Sequence, residues 1–95
     1  MSDYDVIVSV EARSELADKW RYVAEAADGE VADRYLNLIS AQCDTLATFP
    51  HRGTLRDDLD LGVRSISVKR SATIFYAVEG RQVLILHVAF RGQDV

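Results

Sequence analysis

The stretch RSISVKRSATIFYAVEGRQVLILHVAF, residues 64–90, decides the fold. Its apolar residues recur at every second position, the period of a strand, whose side chains point alternately to opposite faces. Arg64, Ile66 and Val68 share one face of a first strand. Ala72 to Glu79 forms a second, and Glu79-Gly80-Arg81 reads as a tight reversal. Gln82 to Phe90 forms a third, apolar on both faces through Val83, Leu84, Ile85 and Leu86, and therefore expected inside the sheet. Connections this short join antiparallel neighbours, so the three strands make a meander.

Before the meander, Pro50–Gly62 reads as an irregular loop holding Gly53 and the acidic run Asp57-Asp58-Leu59-Asp60. Further upstream the period is helical. Ala32, Tyr35 or Leu36, Ile39, Cys43 and Leu46 form one apolar stripe on a helix from about Glu30 to Phe49, which Pro50 stops. Leu38 and Phe49 lie off that stripe and are expected to widen its buried face. Ala12, Leu16, Trp20, Val23 and Ala27 form the stripe of an earlier helix, with Ser9 as N-cap and Asp28-Gly29 as its end. Glu15 with Lys19, and Glu30 with Arg34, are spaced as supporting i,i+4 pairs. The short link makes the helices an antiparallel hairpin. A short strand opens the chain, where Tyr4, Val6, Val8 and Val10 alternate with Asp5, Ile7 and Ser9; its place in the sheet is left open. The expected fold is a single α+β domain over residues 1–95, β-α-α-β-β-β, with a helical hairpin packed on a mainly antiparallel sheet.

Charge and composition narrow the function. The chain is 48% hydrophobic and 27% charged, which excludes a disordered or low-complexity segment. No apolar run approaches the ~18 residues of a membrane span. The acidic start Met1-Ser2-Asp3-Tyr4-Asp5 lacks the pattern of a signal peptide, and the single Cys43 fits a reducing, cytoplasmic setting. Eleven basic residues, nine of them Arg, stand against fifteen acidic ones, for a net charge of −4. A protein held mainly by phosphates carries a basic excess, so autonomous nucleic-acid binding is not expected. The charge is uneven: residues 1–49 hold four basic and ten acidic groups, residues 50–95 seven and five.

The residues that carry chemistry are few. His51, His87 and Cys43 are not at ligand spacing, so neither metal nor cofactor is expected. His87, in an apolar strand, reads as a packed or hydrogen-bonded histidine, and His51 as a surface residue. Cys43 reads as an inert buried thiol. There is no phosphate-binding glycine loop and no nucleophile elbow. Arginine remains. Arg56 and Arg64 flank the acidic run and suit pairing with Asp57, Asp58 or Asp60, whereas Arg64 and Arg91 on the strands suit a grip on phosphate or carboxylate. Lys69, Arg64, Arg91 and Tyr76 are pieces that cleavage of RNA through its 2′-hydroxyl would need, though their spacing does not single them out.

An ordered set of residues runs nearly the whole length. It comprises Ser9, Ala12, Leu16, Trp20 and Tyr22; Leu46 and Phe49-Pro50; Gly53 and Arg56; Gly62-Val63-Arg64; Ile74-Phe75-Tyr76; Val83–Val88; and Arg91-Gly92-Gln93-Asp94. In this the chain resembles toxins of the RelE/ParE superfamily of bacterial type II toxin–antitoxin systems, and specifically the ParE branch. The resemblance implies Leu16 and Trp20 as anchors between helix and sheet. It implies a growth-inhibiting toxin of the plasmid-stabilisation type that poisons DNA gyrase without catalytic residues of its own. It also implies a ParD-like antitoxin whose C-terminal segment folds on binding. Expected antitoxin contacts are Leu16, Trp20, Val23, Tyr35 and Leu38. Expected target contacts are Arg64, Lys69, Arg70 and Arg91, with the tail Gly92–Val95. The alternative activity in the superfamily is ribosome-dependent mRNA cleavage of the RelE kind, for which Arg64 and Arg91 would be catalytic. The sequence departs from that pattern by its acidity, its scarcity of Lys and its lack of Tyr or His after Phe90. A third reading is a non-toxic member that only binds antitoxin.

Overall fold

The structure is a computed structural model and describes residues 3–91; Met1, Ser2 and the tail Gly92–Val95, with its part of the family motif, lie outside the described residues. The elements are β1 (Asp5–Val8), α1 (Val10–Ala26), α2 (Gly29–Thr45), β2 (Thr54–Leu55), β3 (Arg64–Val68), β4 (Ala72–Glu79) and β5 (Gln82–Phe90). The sheet order is β1-β5-β4-β3-β2. The meander is antiparallel as expected, and β1 joins it in parallel alongside β5, with Val6 opposite Val83. The expected α+β order stands, and β5 is an interior strand.

The helical hairpin covers one face of this sheet. Ala12 from α1, Ile39 and Cys43 from α2, and Leu46 beyond it meet Ile66, Val68, Ala72, Ile74, Tyr76, Val83, Ile85 and Val88 in one core. Burying each larger apolar side chain there contributes about 1.5–3 kcal/mol against leaving it exposed. The α2 stripe is the one the sequence spells.

The α1 stripe is not. Trp20 is 38% exposed and lies against the start of α2, its Nε1 donating to Asp33 at 2.8 Å. It anchors helix to helix, not helix to sheet, while Leu16 is half-buried against the core. The buried place falls to Lys19, which is 9% exposed. Glu15 accordingly does not pair with Lys19. Its carboxylate accepts from the Val88 amide at 2.8 Å and meets His87 Nδ1 at 3.1 Å. The reason lies in β5. β1 ends at Val8 opposite Ile85, and a bulge at Leu86 breaks the register with β4. The next stretch of β5 edge therefore needs other partners, and the N-cap and second turn of α1 supply them: Ser9 Oγ donates to the Leu86 carbonyl at 2.9 Å, and Glu15 accepts from Val88. Ser9 also caps α1 by accepting from the Ala12 amide at 3.0 Å. Val10, placed in the strand by alternation, instead opens α1 and is exposed. Nor is Glu30 with Arg34 among the ion pairs of the described residues.

α2 stops at Thr45, short of Pro50. A proline ring clashes with the carbonyl four residues back and disfavours a helical residue before it. The chain therefore tightens early, with i→i−3 bonds from Leu46 to Cys43, Ala47 to Asp44 and Thr48 to Thr45 at 3.0–3.2 Å. Phe49 and Leu38 are exposed at 64% and 42%, so neither widens the buried face. The loop after Pro50 contains β2, which the sequence does not announce; it pairs Thr54 with Ser65 and Leu55 with Arg64.

Candidate functional site

Two positions in the β3–β4 turn carry unusual backbone. Lys69 has φ 55° and Arg70 φ 129°, a region L-residues avoid. Val68 pairs with Ala72, so the reversal runs through three residues, Lys69, Arg70 and Ser71, and positive φ at such turn positions is normally met by Gly or Asn. Here Lys-Arg occupies them, at ~1–3 kcal/mol of strain each. The strained turn places two cations at a corner of the sheet. Arg91 joins them, because the last residues of β5 lie beside the turn: its amide donates to the Ser71 carbonyl at 2.9 Å. Arg70 and Arg91 together border a shallow cleft of about 280 Å³ with Ser67, Thr73 and Phe90.

The fold therefore brings together Lys69, Arg70 and Arg91 of the four expected target contacts. It does not bring Arg64. That residue begins β3, about 17 Å of strand from Lys69. Its Nη1 donates to the carbonyls of His51 at 3.1 Å and Gly53 at 2.9 Å. Tyr76, its cross-strand partner, is fully buried, and its hydroxyl accepts from the Gly53 amide at 2.9 Å. Burial holds the Tyr76 phenol above its ordinary pKa. Arg64 and Tyr76 thus clamp the 51–53 backbone against the sheet. Of the aspartate pairings, Arg56 makes a bidentate bond with Asp58 at 3.0 Å, which raises the guanidinium pKa and lowers that of the exposed carboxyl. The Arg64 side chain is bound to backbone instead.

The five expected antitoxin contacts are spread over the hairpin. Leu16 lines a cleft of about 320 Å³ with Val6, Val8 and Leu36. Val23 and Tyr35 line another, of about 300 Å³, with Lys19, Val31, Ser71 and Arg91. Trp20 and Leu38 stand exposed. Two features were missed. One is Lys19, whose buried position α-helical spacing shows only when Trp20 is taken off the stripe. The other is an apolar cleft of about 500 Å³ bordered by Leu59, Val63, Phe75 and Leu86, beside His87 and Asp60. Its signal is the apolar Phe75 and Leu86 out of phase with the core positions, and the leucines set in an acidic loop. Leu55 and Leu61, 51% and 86% exposed, extend the apolar surface of that loop.

Among the described residues there is no group of His, Cys, Asp and Glu able to hold a metal ion, and no helix is long and apolar enough to cross a membrane. Burial pushes the Cys43 thiol up to about 11, far from a reactive thiolate.

Residues 6–95 match the family model described as ParE toxin of type II toxin–antitoxin system, parDE. No curated protein sequence matches the chain at a significant level. Among solved structures, the chain is similar to one from a chromosomal ParDE toxin–antitoxin system of P. aeruginosa, with a TM-score of 0.81 and 19% identity over 92% of this chain and 95% of that one. It is also similar to a chain of the toxin–antitoxin complex RelBE2 from Mycobacterium tuberculosis, with a TM-score of 0.61 and 22% identity over 94% of this chain and 99% of that one. At these identities the likeness shows a shared fold.

Proposed function

The chain belongs to the ParE toxin family of type II toxin–antitoxin systems, and from that premise we propose that it arrests growth by poisoning DNA gyrase and is neutralised by a ParD-like antitoxin. The observation that carries the reading is the basic corner: Lys69 and Arg70 held at positive φ, with Arg91 beside them. A surface that traps another enzyme's cleaved intermediate needs complementarity, not a nucleophile or an acid–base pair. Three cations at one rim, on a chain that is acidic overall, suit a place near gyrase and its DNA. The RelE-like alternative is less well supported, because its pieces are apart. Arg64 is engaged by backbone carbonyls and Tyr76 is fully buried, both at the far end of β3 from Arg91.

The antitoxin is expected to wrap the chain and cover its open apolar surface. That surface includes the cleft at Leu59, Val63, Phe75 and Leu86, and the exposed Trp20 and Leu38. Added to gyrase, supercoiled plasmid and ATP, the protein is expected to accumulate linear DNA tied covalently to protein. Normal supercoiling and religation at saturating protein overturns the gyrase reading. Capture of the neighbouring gene product by the purified chain tests the antitoxin separately, and two proteins that remain free of each other overturn that part.

A further inference from the structure

Lys19 is the buried charge among the described residues. Its ammonium stands 4.9 Å from the centroid of the Tyr22 ring, 5.1 Å from that of Phe90 and 5.8 Å from that of Tyr35. No carboxylate or hydrogen-bond acceptor among the described residues engages it. Aromatic faces replace only part of the hydration an ammonium loses on burial, and the lysine pKa is lowered accordingly.

The cleft of about 300 Å³ beside it is lined by Lys19, Val23, Val31, Tyr35, Ser71 and Arg91. That lining holds two cations and no acid. Its hydroxyl protons are committed: Tyr35 donates to Ser71 Oγ at 3.0 Å, and Ser71 to the Val68 carbonyl at 3.3 Å. The donors that remain are the Lys19 ammonium and the Arg91 guanidinium, whose contact with the Arg70 carbonyl is long at 3.5 Å.

We propose that this cleft receives one acidic side chain, a glutamate or aspartate of a polypeptide partner, with Lys19 Nζ and Arg91 as its two donors. Val23, Val31 and the Tyr35 ring supply apolar walls for the methylenes that carry a carboxylate. Two donors between apolar walls suit one carboxylate on a short apolar arm, and a phosphodiester chain has no such arm to fill those walls. The proposal goes beyond the toxin reading, because it holds whichever protein presents the acid.

The test uses the full chain and two blocked tripeptides, Glu-Leu-Glu and its uncharged counterpart Gln-Leu-Gln. The Lys19 Nζ signal and the Ser71 and Arg91 amides are followed by NMR. The glutamate peptide is expected to shift all three, and the glutamine peptide none. Lys19→Met keeps the apolar stem, and with Arg91→Gln it is expected to weaken binding at least tenfold, about the contribution of one charge-assisted hydrogen bond. If Lys19→Met fails to fold, the exposed Arg91→Gln carries the comparison. The proposal falls if the two peptides act alike, or if Lys19 is unmoved at saturating glutamate peptide. It falls equally if both variants bind as the parent does, or if a short DNA duplex displaces the peptide and binds more tightly.

Discussion

Replacing Gly53 by Ala is the sharpest probe of how the loop before β2 is held. A Cβ at this position would sit 2.5 Å from the Tyr76 hydroxyl oxygen, 2.9 Å from the Ser65 carbonyl oxygen and 3.0 Å from Tyr76 Cε1. Neither neighbour can yield cheaply. Tyr76 is fully buried in the core, and the Ser65 carbonyl belongs to β3. Overpacking of this kind costs ~1–3 kcal/mol. Moving the loop away would also break the bond from the Gly53 amide to the Tyr76 hydroxyl and strand a buried phenol, at a further ~1–3 kcal/mol. Gly53→Ala is therefore expected to lower stability by about 3–4 kcal/mol, a large share of the ~5–15 kcal/mol of a typical domain. Tyr76→Phe alone should cost about 1–2 kcal/mol. In the double variant the nearest obstacle to the new methyl is gone, so the two costs should fall short of additivity by about 1 kcal/mol or more. Urea unfolding of the four proteins measures this directly. A Gly53→Ala protein within ~0.5 kcal/mol of the parent, or strict additivity in the cycle, would refute the reasoning.

Other perturbations probe other parts of the molecule. Glu15→Ala removes the acceptor for the Val88 amide and should cost ~1–3 kcal/mol, whereas Glu15→Gln keeps an acceptor and should cost less than half as much in the same urea titration. Trp20→Ala should cost below ~1.5 kcal/mol in thermal unfolding, because the ring is partly exposed; a loss of ~3–5 kcal/mol would restore it as a core anchor. Burial raises the Cys43 thiol from 9.0 to about 11, so the neutral thiol is favoured in the folded state. The stability this confers is complete below pH 9 and is lost as pH rises toward 11, by up to about 2.5 kcal/mol. Cys43→Ala should flatten that part of the pH profile, and an unchanged alkaline slope would contradict the assignment.

Much of the fold was legible because two periods dominate it. The alternation through Ile66, Val68, Ala72, Ile74, Tyr76, Val83 and Ile85, and the α2 stripe through Ile39 and Cys43, each lead to the one core. The departures arise where long-range partners decide. Nothing local in the sequence says that β1 runs parallel to β5, or that the edge beyond Ile85 must be completed by Ser9 and Glu15. That demand takes Glu15 from Lys19, and the lysine stem is long and apolar enough to fill the vacated stripe position beneath three rings. β2 has two residues, too few to show a period. The basic corner was half legible. Lys69, Arg70 and Arg91 could be named from charge alone, but their meeting depends on the β4–β5 register, and the same register leaves Arg64 at the other end of the sheet.

The most direct test of the account compares the parent chain with Lys69→Gln/Arg70→Gln/Arg91→Gln in a gyrase cleavage assay, after circular dichroism has shown equal folding. The readout is linear, protein-linked plasmid as a function of toxin concentration in the presence of ATP. The parent is expected to accumulate it, and the triple variant to need at least about tenfold more protein, since each rim cation contributes a fraction of a kcal/mol and three act together. A parent chain that leaves supercoiling and religation unaltered, or a triple variant as potent as the parent, would contradict it.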